Sequence, residues 1–415
     1  MIKIKYILGL ALSLLFCSVN AQNNTSSPYS VFGIGEMAQR GDVITSSMGH
    51  AGVALRSSVW LNTINPASYS ALDSTAFYFN MQVEGFSSSI KSDSQSATSF
   101  NGNINALSMG FKASRNWGIG IGYMPYSNVG YSIEDKKYLL GTIGTYPVLY
   151  EGSGGVSQIY WANSVRLFKN FSLGVNLSYL WGNLKVTESS SFPSLTTDDI
   201  YNQRTYYMHN FFFEYGFQYA FNIKNHKFGV GAVANVRTRL TSDYEQKVFN
   251  DYSSNIFEEE SNTEDFTVPT SYRVGLSWEM PRGILLVGDY GYQDWSAIEN
   301  PKSESAVFVG NHKLSFGLEY GAKKMTYKNY LLRMKYRAGV FYNSGYIELK
   351  SNQLEEKGVT AGLTFPLGNR GNLLNVGYEY LINGSRSHGL LEETRHTFRI
   401  GLTINEMWFM KRQFD

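Results

Sequence analysis

The chain has 415 residues, with 30 Tyr, 26 Phe and 40 Gly against 9 Pro, one Cys, and 36 basic against 34 acidic side chains. Setting aside Lys3 and Lys5, which fall in an export signal, leaves 34 basic and 34 acidic residues, so the basic excess of a nucleic-acid-binding surface is missing. Beyond residue 21 nothing approaches 18 consecutive apolar residues, which excludes a spanning helix.

Residues 1–21 read as a signal peptide: Lys3 and Lys5 form a basic start, Ile7 to Phe16 an apolar stretch, and Val19, Asn20 and Ala21 a cleavage site before Gln22. Cys17 lies inside it, so the mature chain is expected to carry neither a disulfide nor a thiol site. Phe16 is too large for the small residue that precedes a lipidated cysteine.

Residues 22–74 show no alternation and are rich in Gly, Ser and Asn, yet Val31, Phe32, Ile34, Val53, Leu55 and Trp60 give them more apolar content than a disordered arm carries. Near their end stand Asn65, Pro66 and Ala67. Pro fixes its own φ and pushes Asn65 toward extended geometry, while Asn caps or tolerates unusual backbone angles. The motif is expected to shape a corner, with no ligand to bind.

From about residue 75 the chain becomes a series of period-2 segments, one face apolar and the other polar or glycine. Tyr272, Val274, Leu276 and Trp278 alternate with Arg273, Gly275, Ser277 and Glu279, and Phe398, Ile400, Leu402 and Ile404 with Arg399, Gly401 and Thr403. The pattern predicts fourteen strands, at about 75–86, 103–114, 116–129, 153–168, 170–188, 202–221, 226–244, 266–279, 282–296, 307–320, 330–346, 353–365, 371–381 and 393–405. Connections after even-numbered strands are mostly tight, whereas Ser87 to Gly102, Gly130 to Gly152 and Glu245 to Asp265 read as long polar loops. Short turns at one rim, long loops at the other and aromatic residues near strand ends (Trp117, Tyr126, Trp181, Trp295, Tyr346) are the pattern of an outer-membrane barrel. The fold expected is therefore all-β: a fourteen-stranded antiparallel transmembrane β-barrel over residues 75–415. Wall side chains alone cannot fill a barrel that wide, so residues 22–74 are expected to fold back inside it as a plug.

On the third strand Gly118, Gly120 and Gly122 face inward between outward Trp117, Ile119, Ile121 and Tyr123, and Pro125 follows, deleting one ladder hydrogen bond. The stripe either clears a path along the wall or makes room for the plug. On the eleventh strand Arg333, Lys335 and Arg337 read as an inward basic ladder. It either meets an anionic ligand or pairs with inward acids such as Glu214, Asp289, Glu319 and Glu379. His50, His209, His226, His312, His388 and His396 sit in no catalytic motif or metal-ligand spacing, so neither enzyme, metal nor cofactor is expected.

Met48 to Ala54 followed by Asn65, Pro66 and Ala67, then Val268, Pro269 and the Tyr272 to Gly275 opening, and finally Tyr290, Trp295 and Ser296, together resemble the FadL family of outer-membrane hydrophobe transporters. The stretch Ser27 to Gly33 lengthens the N-terminus relative to that family. The resemblance implies passive uptake of hydrophobic, fatty-acid-like molecules, with Gly118, Gly120, Gly122 and Pro125 marking a side window for release into the membrane. The alternative is a structural or interaction subunit of an outer-membrane secretion or assembly complex, with other proteins as partners.

Overall fold

The computed structural model describes residues 25–138, 145–191, 198–252, 255–298, 306–321, 329–368, 371–386 and 389–407; the expected signal peptide lies outside them. Fourteen strands form the wall: β1 (Ala76–Lys91), β2 (Ser96–Lys112), β3 (Trp117–Tyr138), β4 (Thr145–Leu167), β5 (Phe171–Ser190), β6 (Ile200–Ile223), β7 (His226–Asn235, resuming as Thr238–Asn250), β8 (Asn255–Val268, resuming as Ser271–Glu279), β9 (Ile284–Gln293), β10 (Asn311–Gly321), β11 (Lys335–Asn343), β12 (Glu356–Leu367), β13 (Asn372–Gly384) and β14 (Glu392–Met407). Each pairs antiparallel with its neighbours in sequence, and β14 closes on β1 from Ala76↔Met407 to Lys91↔Glu392. Closure leaves no edge at that join, which is what a spanning sheet requires. Outward positions carry the apolar set, with Val274, Leu276, Phe316, Val340, Phe398 and Ile400 all exposed on the wall. Such a wall is the architecture of outer-membrane proteins.

Three expected loops are instead strand. β1 and β2 run on to Lys91 and from Ser96, β3 and β4 to Tyr138 and from Thr145, and β7 and β8 to Asn250 and from Asn255. These extensions rise beyond the apolar band, so backbone ladders persist after the outward hydrophobic alternation has stopped, while Tyr131 and Val148 stay buried. β7 and β8 break together at Val236–Arg237 and Pro269–Thr270. Pro269 has no N–H to give, and its carbonyl accepts from Asn235 Nδ2 at 2.8 Å while Thr270 Oγ1 accepts from the Arg237 N–H at 3.1 Å. The expected tenth and eleventh strands are shorter: 306–308 pairs with 347–349 in a separate small sheet, and Leu331–Arg333 is a 3-10 turn.

Two apolar clusters lie toward the outer ends of the strands. One joins Val129, Tyr131, Val156, Leu184, Met208, Leu240 and Phe266 from β3 to β8 with Ile34; the other joins Trp295, Phe308, Ile347, Leu354 and Leu390 with Tyr29.

Candidate functional site: the barrel interior and the third strand

Residues 25–72 are largely buried and pack against inward-facing positions around the wall. Asp42 caps the short helix Val43–Ser46 through a reciprocal capping box with Thr45, and Asn65 caps the 3-10 helix Pro66–Ala71 by accepting from the Ala67 N–H at 3.0 Å. Asn65 Nδ2 donates to the carbonyls of Val53 at 2.8 Å and Phe217 at 3.0 Å, which ties the corner to the wall.

The wall receives this segment on glycines. Gly174 and Gly216 are paired across β5 and β6, and a Cβ on Gly216 would fall 2.8 Å from Pro66 Cδ and Cγ. Gly317 and Gly339, paired across β10 and β11, lie under Met48 and Gly49; a Cβ on Gly339 would fall 2.8 Å from Met48 Cα. Gly49 itself has φ 65°, and a side chain there would press on the Phe316 carbonyl at 2.8 Å. Backbone meets backbone at Gly174, Gly339 and Gly49, and at Gly216 the wall backbone meets the Pro66 ring, so a side chain there could be accommodated only if one surface moved.

Polar groups lock the same seat. His50 Nε2 faces Glu379 Oε2 at 2.7 Å, Arg399 donates to Glu379 at 3.0 Å and to Glu84 at 2.8 Å, and all four belong to one network. Asp289 accepts the N–H groups of Gly52 and Val53 at 2.7 and 3.0 Å, and Gln218 donates to the carbonyls of Val53 and Leu55 at 2.9 and 3.0 Å. Arg40 pairs with Glu214. Burial holds the His50 imidazole down at about 4, so it is uncharged at neutral pH and donates from Nε2. Burial also raises the Asp42 carboxyl to about 6, against the hydrogen bonds from Thr45 that favour its ionised form.

The third-strand glycines do not border an empty path. A Cβ on Gly118 would fall 2.9 Å from the Ser70 N, and one on Gly120 would overlap the Tyr69 ring, while Gly122 faces Tyr160, whose hydroxyl meets that of Tyr69 at 3.2 Å. Pro125 opens a bulge at Tyr126, with Pro125↔Ser157 followed directly by Ser127↔Val156. A seam begins at the same level. β2 pairs with β3 only from Leu107↔Tyr123 to Lys112↔Gly118; above it residues 96–106 pair with β1 and residues 124–138 with β4. Behind the seam Glu36 and Met37 pair with Asn128 and Ser127, and Ser26 bonds Asn101.

The expected basic ladder is corrected at Arg333, and its other two members meet an inward acid, one of the two alternatives. Arg333 lies outside the strand, in the 3-10 turn, with its guanidinium 4.8 Å from the Tyr330 ring centroid. Lys335 and Arg337 both engage Glu319, at 2.6 and 2.7 Å, so these cations are matched within the wall.

A family model matches the chain over residues 1–415, and its description is BamG. The chain belongs to the BamG family. No curated protein sequence matches it. Among solved structures it is similar to the Pseudomonas putida toluene transporter TodX at 14% identity, covering 91% of this chain and 100% of that one with a TM-score of 0.61. The Ralstonia pickettii toluene transporter TbuX gives 13%, 88%, 98% and 0.60 in the same order, and a Pseudomonas aeruginosa FadL homologue 10%, 90%, 99% and 0.58. The FadL resemblance therefore holds as a likeness of fold, and these neighbours are transporters or channels by description.

Inside this BamG-family barrel lies a chamber of about 150 Å³ whose lining mixes Glu36, Arg40, Glu214, Arg273, Lys313 and Glu356 with Tyr126, Phe212, Tyr292, Tyr346, Ile347 and Leu354. Among the described residues, the carboxylates close enough to share a metal are Glu245, Glu258 and Glu260, and Lys247 pairs with two of them. Tyr69, Asp42, Gln218 and the seating glycines Gly174, Gly216 and Gly339 were missed from sequence. The glycines had a signal, since each sits at an inward position of an alternating strand. Tyr69 had none, because nothing local tells which residue of a coil segment enters which notch.

Proposed function

We propose that this BamG-family barrel is a closed, non-enzymatic docking subunit of an outer-membrane secretion or assembly complex, plugged by residues 22–74 and presenting its wall and outer hairpins to other proteins. Export through the signal peptide at 1–21 and immersion in outer-membrane lipid belong to the same reading. The observation that carries it is the interior: the Arg40–Glu214 and Arg395–Glu36 ion pairs and the His50–Glu379 hydrogen bond hold residues 25–72 on the wall, and the chamber left over is only about 150 Å³, with charged and aromatic side chains mixed on its lining. A hydrophobe gains free energy by leaving water for apolar surface, and so small a chamber, its aromatic rings interrupted by six charged side chains, offers a fatty-acid chain little of it. The two outer apolar clusters add support, because they consume the surface a capture groove would use. Purification from native membrane in mild detergent followed by mass spectrometry tests the reading. A stoichiometric protein partner is expected; a retained lipid-like ligand and no partner would contradict it.

A second reading is passive uptake of hydrophobic, fatty-acid-like molecules with lateral release. It is favoured by the seam beside the Pro125 bulge and by neighbours described as toluene transporters and a monoaromatic hydrocarbon channel. Cells lacking the protein should then lose uptake of a labelled fatty acid or toluene; unchanged uptake counts against it.

A further inference from the structure

The cross-strand register allows the outward surface of β3 to β6 to be read row by row. Tyr123, Ile159, Tyr179 and Phe211 form one row, apolar and lipid-facing. The next row outward is Pro125, Ser157, Trp181 and His209, and the one beyond it Asn128, Gly155, Asn183 and Tyr207. The wall thus changes within two rows from hydrocarbon to a mixture of aromatic faces, carboxamides, a hydroxyl and an imidazole. With both barrel termini at the inner rim, this change falls at the outer face of the membrane.

These rows enclose a concavity of about 810 Å³, lined by Asn128, Ser157, Trp181, Asn183, Tyr207 and His209 among others. Glycines shape its floor. Gly155 has φ 148°, and a Cβ on Gly182 would fall 2.8 Å from Val156 Cα, so β4 and β5 approach too closely there for a side chain. The aromatic side is fixed: Trp181 stacks on Tyr179 with centroids 6.2 Å apart and planes 17° apart, and the Tyr123 ring lies 6.0 Å from Trp181, tilted by 48°. Trp181 is nevertheless 37% exposed and Tyr207 45%, so part of each ring remains open to the concavity.

We propose that this concavity binds the phosphorylated sugar headgroup of an outer-leaflet glycolipid. A pyranose ring offers C–H faces that stack on indole and phenol, and equatorial hydroxyls that exchange hydrogen bonds with carboxamide, hydroxyl and imidazole. Exposed Lys185, paired with Ser153 one row beyond the site, supplies the cation for a phosphate. The position selects the occupant, because a concavity at the outer interface faces the glycolipid headgroup layer and neither the hydrocarbon nor the lumen.

The test uses the full barrel in nanodiscs of phosphatidylethanolamine with or without purified lipopolysaccharide, released and weighed by native mass spectrometry. One retained lipopolysaccharide per barrel is expected for the wild type. Trp181→Ala and Asn183→Leu should each lower occupancy by up to about tenfold, the range for one lost stacking or polar contact. Trp117→Ala, at the opposite rim, should leave it unchanged, and heat-modifiable gel mobility verifies folding of every variant. Equal retention by all four proteins, no retention by the wild type, or a protein bound over Trp181 in lipopolysaccharide's place would overturn the proposal.

Discussion

Replacing Gly216 by Val perturbs the seat of the N-terminal segment at one atom. The new Cβ would lie 2.8 Å from Pro66 Cδ and Cγ, where carbon atoms rest at about 3.5–4.0 Å, so the Asn65 corner must lift by about 1 Å. Lifting strains or breaks the bonds from Asn65 Nδ2 to Val53 and Phe217 and the cap on Ala67. At about 1 kcal/mol net each, their loss costs about 3 kcal/mol, or about a hundredfold in the local opening equilibrium. Amide hydrogen exchange over residues 60–72 should speed up by that factor while gel mobility stays that of a folded barrel. Gly288→Val is the control, because its Cβ points outward and meets nothing closer than 3.4 Å. Unchanged exchange in Gly216→Val, or equal loss in both variants, would refute the reasoning.

His50, held down at about 4 from 6.5, contributes stability to the docked segment that is complete above pH 6.5 and lost as pH falls toward 4. Asp42, raised from 3.8 to about 6, contributes stability that is complete below about pH 4 and lost as pH rises through 6; at about 3 kcal/mol each the two oppose. Exchange of residues 42–55 should therefore vary little between pH 4 and 6.5 in the wild type, whereas His50→Asn should become better protected as pH falls; a wild type that opens steeply in acid contradicts this. Arg337→Leu should cost about 3–5 kcal/mol by leaving Glu319 with Lys335 alone, and Glu319→Leu in the same chain should recover most of it, measured by heat-modifiability midpoints. Gly120→Phe should displace Tyr69 and expose residues 66–71 to exchange with the wall intact; full protection would show that the stripe is not a seat.

The wall was legible because alternation is a local code: fourteen segments repeat it, and each has its strand in the structure. The hairpin extensions beyond the membrane were not, since the Ser, Asn and Thr of 87–102, the mixed charged and aromatic residues of 130–152 and the acidic run of 245–265 give no apolar period although the backbone ladder continues. Arg333 fell out of its ladder because Leu331 and Leu332 turn before the strand begins. Asn65 caps and Pro66 opens a 3-10 helix, local features of a kind that sequence carries because capping and fixed φ depend on neighbours in the chain. What the corner docks onto depends on Gly174 and Gly216, more than a hundred residues away, and on a register no local pattern records. The same limit applies to the third strand, where the glycines were visible and their occupant, Tyr69, was not.

Single-channel conductance in planar bilayers, comparing the wild type with a chain lacking residues 25–72, tests the closed-barrel account most directly. The account predicts a wild type with no resolvable openings and a deletion variant with large, stable ones. A wild type that conducts as well as the deletion would show that the lumen is open and would contradict it.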